Sequence, residues 1–267
     1  LHSLRRRQRQ MCIRDSVSPY EIAESLNRSV SYVYRCVHRL GLALHHPCQR
    51  RTVNTSVFDP PLSEEAQYWL GFILGDGCLH RSYWMFTIAL SVKDRDHLER
   101  LRCFLSSTHS IREKEVRMNG KTFATVSLAI GNRELFNKLV HWLGYPKGSR
   151  IHSELLDSRH FWRGLVDADG CIGVYNHNGY PMAGVGLTGR KEHLELFLDF
   201  LRGHGVTTRV RPCPMRHSVS CWHVILRARN GRDAIRLLYG NATAALERKW
   251  QKAIEIVGRD GGLDNVI

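Results

Sequence analysis

The chain has 267 residues, of which 43% are hydrophobic, so it can form one large globular domain or two smaller ones with a substantial core. Its 39 basic and 25 acidic residues give a formal net charge of +14, which predicts a polyanionic partner and favours nucleic acid over a membrane surface. There is no apolar run of bilayer-spanning length and no apolar signal-peptide core at the start, so we expect an intracellular protein outside the membrane.

The first 42 residues predict a basic arm followed by a small helical unit. Residues 1–17 are rich in arginine, and we expect them to be disordered. Residues 18–42 carry two apolar stripes at helical spacing, joined at Asn27, a residue that tolerates the left-handed conformation of a tight turn. The stripes consist of Ile22, Ala23 and Leu26, and of Val30, Val33, Val37 and Leu40.

This pair of helices resembles a helix-turn-helix of the resolvase or sigma-factor kind. In such a unit the second helix enters the major groove, and Tyr32, Arg35 and Arg39 would lie on its exposed face. A helical hairpin that packs on the main domain, with its arginines in solvent, remains the alternative. Residues 43–62 contain basic residues and prolines without apolar periodicity, and we predict a surface linker.

The remainder of the chain divides into two halves, 63–153 and 154–267, with the same order of elements, αββαββα. In the first half we predict helices over 63–75, 94–106 and 133–143 and strands over 78–91 (a pair), 110–117 and 122–130, the last two joined by Asn119-Gly120. In the second half we predict helices ending at 168 and over 191–202, 232–239 and 243–257, and strands over 171–176, 182–188, 207–212 and 219–227.

The first helix of each half carries nearly the same nine residues. Trp69–Gly77 reads Trp-Leu-Gly-Phe-Ile-Leu-Gly-Asp-Gly, and Trp162–Gly170 reads Trp-Arg-Gly-Leu-Val-Asp-Ala-Asp-Gly. In each copy two small residues stand four apart on one helical face, which predicts that the two helices pack closely against each other. Each helix then ends in an acid, Asp76 or Asp169.

Two carboxylates at adjoining helix C-termini are electrostatically unfavourable, because the helix dipole and the like charge both oppose ionisation. Bound divalent cations would resolve this conflict, and carboxylate oxygens with backbone carbonyls suit Mg²⁺, which completes its shell with water and phosphate. Metals at such a place can activate water and stabilise the leaving oxygen in phosphodiester hydrolysis. Asp-Gly as simple turn chemistry explains one copy, but explains two copies in a repeated order of elements poorly.

Because of this repeated motif, residues 63–258 resemble the LAGLIDADG homing endonucleases in their single-chain, two-motif form. The resemblance implies an α+β fold of two pseudo-symmetric αββαββα halves, with Mg²⁺ held by Asp76 and Asp169 and by the backbone carbonyls of Gly75 and Ala168. It implies a monomer that straddles double-stranded DNA with its two sheets. DNA would be contacted by Arg112, Lys114, Arg117, Lys121, Arg209, Arg211 and Arg227.

Members of the family also use a central basic residue near the scissile phosphate, for which Arg227 is our choice. The sequence departs from the family motif at Leu74, which stands where the first motif acid is expected, whereas Asp167 keeps that acid. Arg163 replaces a small residue, and we expect its face of the helix to look outward or towards DNA.

The sequence therefore predicts a metal-dependent endonuclease that cuts both strands of a long asymmetric site. The main alternative is a non-cleaving transcription regulator that joins a LAGLIDADG domain to a helix-turn-helix. Retention of both acids argues against such a decayed site, and the chain lacks room for the splicing domain of an intein. A basic DNA-coating protein would explain the charge but not the paired acids.

Overall fold

A computed structural model describes residues 19–40 and 51–258 apart from 119, 178 and 217–219, and the chain divides into two compact units, Leu1–Thr52 and Val53–Ile267. The predicted arm and the predicted linker up to residue 50 lie outside the described residues. Among the helices of the described part, none is long and apolar enough to cross a membrane.

In the first unit two short helices pack on each other, α1 (Pro19–Ser25) and α2 (Val30–Arg39). Ile22, Ala23, Val33 and Val37 form its small buried core. Asn27 joins the helices with φ +48°, as predicted from its tolerance of the left-handed region. Leu26 and Leu40, at the ends of the predicted stripes, stay largely exposed.

The second unit contains two copies of one arrangement. The first copy comprises α3 (Glu64–Asp76), β1 (Gly77–His80), β2 (Met85–Ser91), α4 (Arg95–Phe104), β3 (Arg112–Met118), β4 (Lys121–Gly131) and α5 (Arg133–Leu143). After the one-turn α6 (Ser153–Leu156), the second comprises α7 (Arg159–Asp169), β5 (Gly170–His177), β6 (Tyr180–Gly189), α8 (Lys191–Gly203), β7 (Cys213–Pro214), β8 (Trp222–Arg227) and α9 (Ala228–Tyr239), followed by α10 (Glu247–Gly258).

The strands form two antiparallel four-stranded sheets with the orders β1-β2-β4-β3 and β5-β6-β8-β7. Residues alternate between the two faces of each strand. In β2, for example, Phe86, Ile88 and Leu90 are buried in the core. The opposite side of each sheet, occupied in β2 by Thr87 and Ala89, is called the open face below. The predicted α+β fold with two pseudo-symmetric halves is confirmed.

The motif helices α3 and α7 pack so closely that only glycine fits at their crossing. A Cβ atom on Gly71 would lie 1.9 Å from the Phe161 carbonyl oxygen, and one on Gly164 would lie 2.0 Å from the Tyr68 carbonyl oxygen. These distances are far inside van der Waals contact, so each glycine accepts the backbone of the other helix. This confirms the packing predicted from the small residues.

The predicted linker is wrong for residues 53–62, which pack on the first half. Phe58 is buried, and its carbonyl accepts a hydrogen bond from the Trp142 indole at 2.9 Å. The backbone amide of Asn54 donates to the Leu105 carbonyl at 2.8 Å. Val53, Val57 and Leu62 also pack against the core, so apolar contacts hold this segment although its sequence shows no apolar periodicity.

The strand predicted over 207–212 is also misplaced, since the edge strand β7 contains only Cys213–Pro214. The Arg202 guanidinium donates to the carbonyls of Thr208 and Val210, both at 3.3 Å. These carbonyls thus have a side-chain partner where a strand would have a neighbouring strand. Pro212 and Pro214 in addition lack the amide hydrogens that a ladder requires.

Candidate functional site

The ends of the two motif helices bring Asp76 and Asp169 together. Both helices begin at a serine cap, because Ser63 Oγ and Ser158 Oγ each accept a backbone N–H three residues later at 3.1 Å. At the other end, the Asp169 carboxylate lies 3.0 Å from where a Cβ on Gly75 would stand. Asp169 therefore contacts the residue that precedes Asp76, as the motif predicts.

Burial opposes the ionisation of both acids, and at Asp76 the like charge of Asp169 adds to this effect. Burial and, next to it, the negative charge of Asp169 raise the pKa of Asp76 to about 6, although Lys249 and Lys147 act in the opposite direction. Burial also raises the pKa of Asp169, again against the two lysines. A positive ion between the carboxylates would favour their ionised forms.

Lys147 and Lys249 hold equivalent positions at the ends of the two helices. The Lys147 ammonium donates to the carbonyls of Ile73 at 3.2 Å and Gly75 at 2.7 Å, and to that of Gly77. The Lys249 ammonium donates to the carbonyls of Val166 at 2.8 Å and of Asp167 and Gly170 at 2.7 Å. Each lysine thus satisfies the carbonyls that a helix C-terminus leaves unpaired.

Burial lowers the pKa of both lysines, that of Lys249 to about 8. Of the two lysine charges, that of Lys249 has the larger effect on the pKa of Asp76, and that of Lys147 has the larger effect on the pKa of Asp169. Of the two lysines, the one bound to the other motif helix therefore has the larger effect on the pKa of each acid. The two halves thus present related arrangements, in which an acid ends each motif helix and a lysine binds the carbonyls at the same end.

The structure brings these lysines, not Arg227, to the acids. Arg227 ends β8 on the open face of the second sheet, exposed, opposite Gly184. Lys249 lies in the basic segment Leu246-Glu-Arg-Lys249, which resembles the basic closing segment of the LAGLIDADG family, whereas Lys147 lies in a turn beside Gly148 with no motif. Both reach the site through tertiary packing, which local sequence patterns do not report.

The donor set fits a hard cation such as Mg²⁺. Two carboxylates and the carbonyls of Gly75 and Ala168 are oxygen donors, and Mg²⁺ is commonly bound by one or two carboxylates, with water and substrate phosphates completing its shell. The described residues contain no cluster of three or more His, Cys, Asp or Glu side chains, the pattern of a site built wholly from protein ligands. The Gly75 carbonyl already accepts from Lys147 at 2.7 Å, so a cation and this ammonium would compete for it.

Arg163 contradicts the expectation that its face of the helix looks outward or towards DNA. Its side chain is fully buried and donates to the carbonyls of Leu238 at 3.0 Å and Ala244 at 2.7 Å. These backbone acceptors satisfy a guanidinium that could not otherwise be buried. Sequence analysis misread it because Arg is rarely found inside a protein.

His97 is a buried neutral histidine that should make the fold acid-sensitive. Burial lowers its pKa to about 3, and its Nε2 lies 2.9 Å from the Tyr68 hydroxyl. The unfolded chain takes up a proton near pH 6.5 and the folded chain does not, so stability falls as the pH drops below 6.5. We expect His97→Gln to remove up to about 1.4 kcal/mol of this loss per pH unit.

Urea unfolding of the wild type and His97→Gln at pH 7.0, 5.5 and 4.5 measures this difference. His141→Gln is the matched control, since that histidine is exposed. Parallel stability curves for the wild type and His97→Gln would show that His97 is protonated in the folded protein.

The predicted DNA-binding residues fall into three groups. Lys114 and Arg112 pair in register with Thr125 and Ser127 on the open face of the first sheet, and Lys121 extends the same face. Arg117 pairs with Thr122 and therefore points to the face opposite that of Arg112 and Lys114, so its contact with DNA stays a prediction. Arg209 and Arg211 are exposed but precede β7 instead of lying in a strand.

In the separate N-terminal unit, Arg35 and Arg39 are exposed on α2, as predicted. Tyr32 is half-buried, with the Arg28 guanidinium 5.7 Å from its ring centre. These positions are compatible with a recognition helix, and a helical hairpin with solvated arginines would show them as well. The nature of this unit therefore stays a prediction.

No protein-family model matches the sequence, and no curated protein matches it. Solved structures do match, among them the homing endonuclease I-WcaI bound to its DNA recognition sequence, with 13% identity, a TM-score of 0.51, and coverage of 80% of this chain and 96% of that one. The I-SmaMI LAGLIDADG homing endonuclease bound to cleaved DNA has 14% identity and a TM-score of 0.47 over 76% of this chain and 92% of its own. Full-length DUF199/WhiA from Thermatoga maritima has 16% identity and a TM-score of 0.45 over 77% and 64%.

Identities of this size establish the fold alone. The likeness to I-WcaI agrees with what the chain itself shows: two motif helices packed at glycines, an acid at each helix end, and two sheets of the same strand order. The chain therefore has the fold of the LAGLIDADG homing endonucleases, in the form that carries two motifs on one chain.

Proposed function

We propose that this chain is a site-specific DNA endonuclease that hydrolyses both strands of a long asymmetric site with a divalent metal, Mg²⁺ in the simplest case. The observation that carries the proposal is the juxtaposition of Asp76 and Asp169 at the adjoining ends of the motif helices, where Lys147 and Lys249 bind the helix-end carbonyls. Two equivalent sites on one pseudo-twofold axis match two scissile phosphates on opposite strands.

The acids and the lysines of the site would have different roles in the reaction. Asp76 and Asp169, with the carbonyls of Gly75 and Ala168, would hold the metal, which supplies an activated water and charge stabilisation at the scissile phosphate. Lys147 and Lys249 would place a positive charge where negative charge develops in the transition state. The anchoring of both lysines to helix ends fixes them before DNA arrives.

The open faces of the sheets would bind the duplex. Arg112, Lys114 and Lys121 of the first sheet and Arg227 of the second are available for phosphates and base edges. Many phosphate contacts should make affinity fall steeply with salt. We further propose that the protein acts as an intracellular monomer, since both motifs and both sheets already lie in one chain.

Cleavage of a large pool of DNA duplexes in Mg²⁺, read by sequencing the new ends, tests the function. Paired breaks on both strands at one shared sequence, absent in EDTA, are the expected result. Specific retention of a sequence without any break would favour the non-cleaving regulator instead. Breaks without a shared sequence would contradict site specificity.

The N-terminal unit should extend contact with DNA on one side of the cleavage site. We expect its exposed residues Arg35 and Arg39 on α2 to contact the DNA on that side. Deletion of residues 1–52 leaves the second compact unit whole, including the packed segment from Val53. The footprint should shorten on one side while cleavage persists, and an unchanged footprint would show that this unit does not bind there.

A further inference from the structure

The two motif helices differ at two buried positions. Where α7 carries Arg163 and Asp167, the equivalent positions of α3 carry Leu70 and Leu74. All four side chains are buried. The first half therefore has an apolar surface at a place where the second half has a buried cation and a buried acid.

Asp167 is the centre of a buried hydrogen-bond network. Its carboxylate accepts from the Tyr239 hydroxyl at 2.6 Å, the Tyr68 hydroxyl at 2.8 Å and the backbone amide of Leu246 at 2.7 Å. Because the Tyr68 hydroxyl donates to Asp167, His97 Nε2 must be the donor in its contact with Tyr68. The network thus runs from α4 through both motif helices to the segment before α10.

Arg163, one helical turn before Asp167 in α7, binds the same segment. Its guanidinium donates to the carbonyls of Leu238 and Ala244. Arg163 and Asp167 therefore fix the residues from Leu238 to Leu246 at both ends. Leu246 in turn begins the first turn of α10, since its carbonyl accepts the backbone amide of Lys249 at 2.8 Å.

Lys147 is held differently. Its turn lies against Leu74, whose Cδ1 is 3.1 Å from where a Cβ on Gly148 would stand. The Gly148 carbonyl is 2.8 Å from Nε2 of His193, a residue of the second half. Backbone hydrogen bonds, an apolar contact and one histidine thus hold the turn of Lys147, whereas a network of charged and hydroxyl groups holds the segment before Lys249.

We propose that Asp167 and Arg163 are positioning residues that hold Lys249 at its site, and that the two cleavage sites are consequently unequal. This inference rests on the proposed function for its effect on cleavage. Cleavage of one strand would depend on the Asp167 network, and cleavage of the other strand would depend on the contact between His193 and Gly148. Loss of the Asp167 network or of the His193 contact should slow cleavage of one strand and leave cleavage of the other strand unchanged.

The first test needs no cleavage. In the whole protein, the rate of lysine acylation by acetic anhydride is followed by mass spectrometry for the wild type, Asp167→Asn and Tyr239→Phe. Lys249 is 4% exposed and should be protected in the wild type. In Asp167→Asn an amide group faces three donors, so Lys249 should become reactive while Lys147 keeps its wild-type rate.

Tyr239→Phe removes one donor without leaving a cavity, and it should release Lys249 to a smaller degree. Circular dichroism melting confirms that each variant is folded. Unchanged protection of Lys249 in both folded variants would overturn the proposal, and equal release of Lys147 and Lys249 would show general loosening instead of positioning.

The second test uses the duplex recovered from the cleavage pool, labelled separately on each strand. In Asp167→Asn we expect one strand to be cut about 100-fold more slowly, the scale of a misplaced catalytic group, so that nicked DNA accumulates. In His193→Ala the slow strand should be the opposite one. Equal slowing of both strands in either variant would overturn the inequality of the sites.

The two tests distinguish failure of the positioning role from failure of the proposed function. If the wild type cuts no DNA in the pool, the proposed function and the strand preference fail together, while the acylation rates still decide whether Asp167 positions Lys249. If the wild type cuts DNA and Lys249 stays protected in the variants, only the positioning role fails.

Discussion

Replacement of Asp76 or Asp169 by asparagine should reduce double-strand cleavage by at least about 100- to 1,000-fold, the loss typical of removing one charge-stabilising group from a reaction centre. Each acid would contribute a carboxylate oxygen to a bound metal, and the neutral amide binds Mg²⁺ poorly. Neither change touches the residues on the open faces of the sheets that we propose to bind DNA. Binding of the target should therefore persist.

The structure also predicts that the loss is not caused by unfolding. Burial and the charge of Asp169 raise the pKa of Asp76 to about 6, so in the metal-free protein the ionised carboxylate opposes folding at pH 7. Asp76→Asn removes this charge, and its melting temperature should equal or exceed that of the wild type. The measurement is cleavage rate, gel-shift affinity and melting temperature on the same preparation.

Asp157→Asn is the matched control, because this side chain is 91% exposed and far less constrained than the motif acids. It should behave as the wild type in all three measurements. Full cleavage by Asp76→Asn or Asp169→Asn would show that the acids take no part in the reaction. Loss of DNA binding in either variant would show that the acids serve binding instead.

The features that could be predicted from sequence are those with a local signature. The helix caps at Ser63 and Ser158, the alternation of β2 and the small residues of the motif each depend on spacing within one element. The repetition of these signatures in two halves then predicts the fold as a whole. The acids follow because they end the repeated motif.

The features that were missed depend on contacts between distant segments. Lys147 and Lys249 reach the acids from a turn and from the last helix, and of the two only Lys249 lies in a segment with a sequence signal, the basic stretch Leu246-Glu-Arg-Lys249. Arg163 was misread because its backbone acceptors, Leu238 and Ala244, lie far along the chain. Arg117 lies on the face opposite that of Arg112 and Lys114 because a strand register is settled by pairing, here with Thr122, and not by composition.

The crossing of the motif helices links fold and site most directly. Gly164→Ala should destabilise the second unit by about 3 kcal/mol or more, the upper end of the usual cost of overpacking. The new Cβ would stand 2.0 Å from the Tyr68 carbonyl oxygen and 2.8 Å from the Phe72 amide nitrogen. Both are backbone atoms, which cannot rotate away as a side chain would, so the helices must move apart.

Gly71→Ala should behave alike, because its Cβ would stand 1.9 Å from the Phe161 carbonyl oxygen. Gly173→Ala is the matched control, since among the described residues no heavy atom lies within 4 Å of its added Cβ. Urea unfolding followed by circular dichroism gives the three stabilities.

A mild effect at both helix glycines, equal to that of Gly173→Ala, would mean that the helices tolerate a wider separation than the structure shows. Because Asp76 and Asp169 stand one turn beyond this crossing, such a separation would also move them apart. Any Gly71→Ala or Gly164→Ala protein that still folds should therefore lose cleavage on both strands. This outcome differs from that of Asp167→Asn, which should spare one strand, because the glycines set the distance between the acids that both sites share.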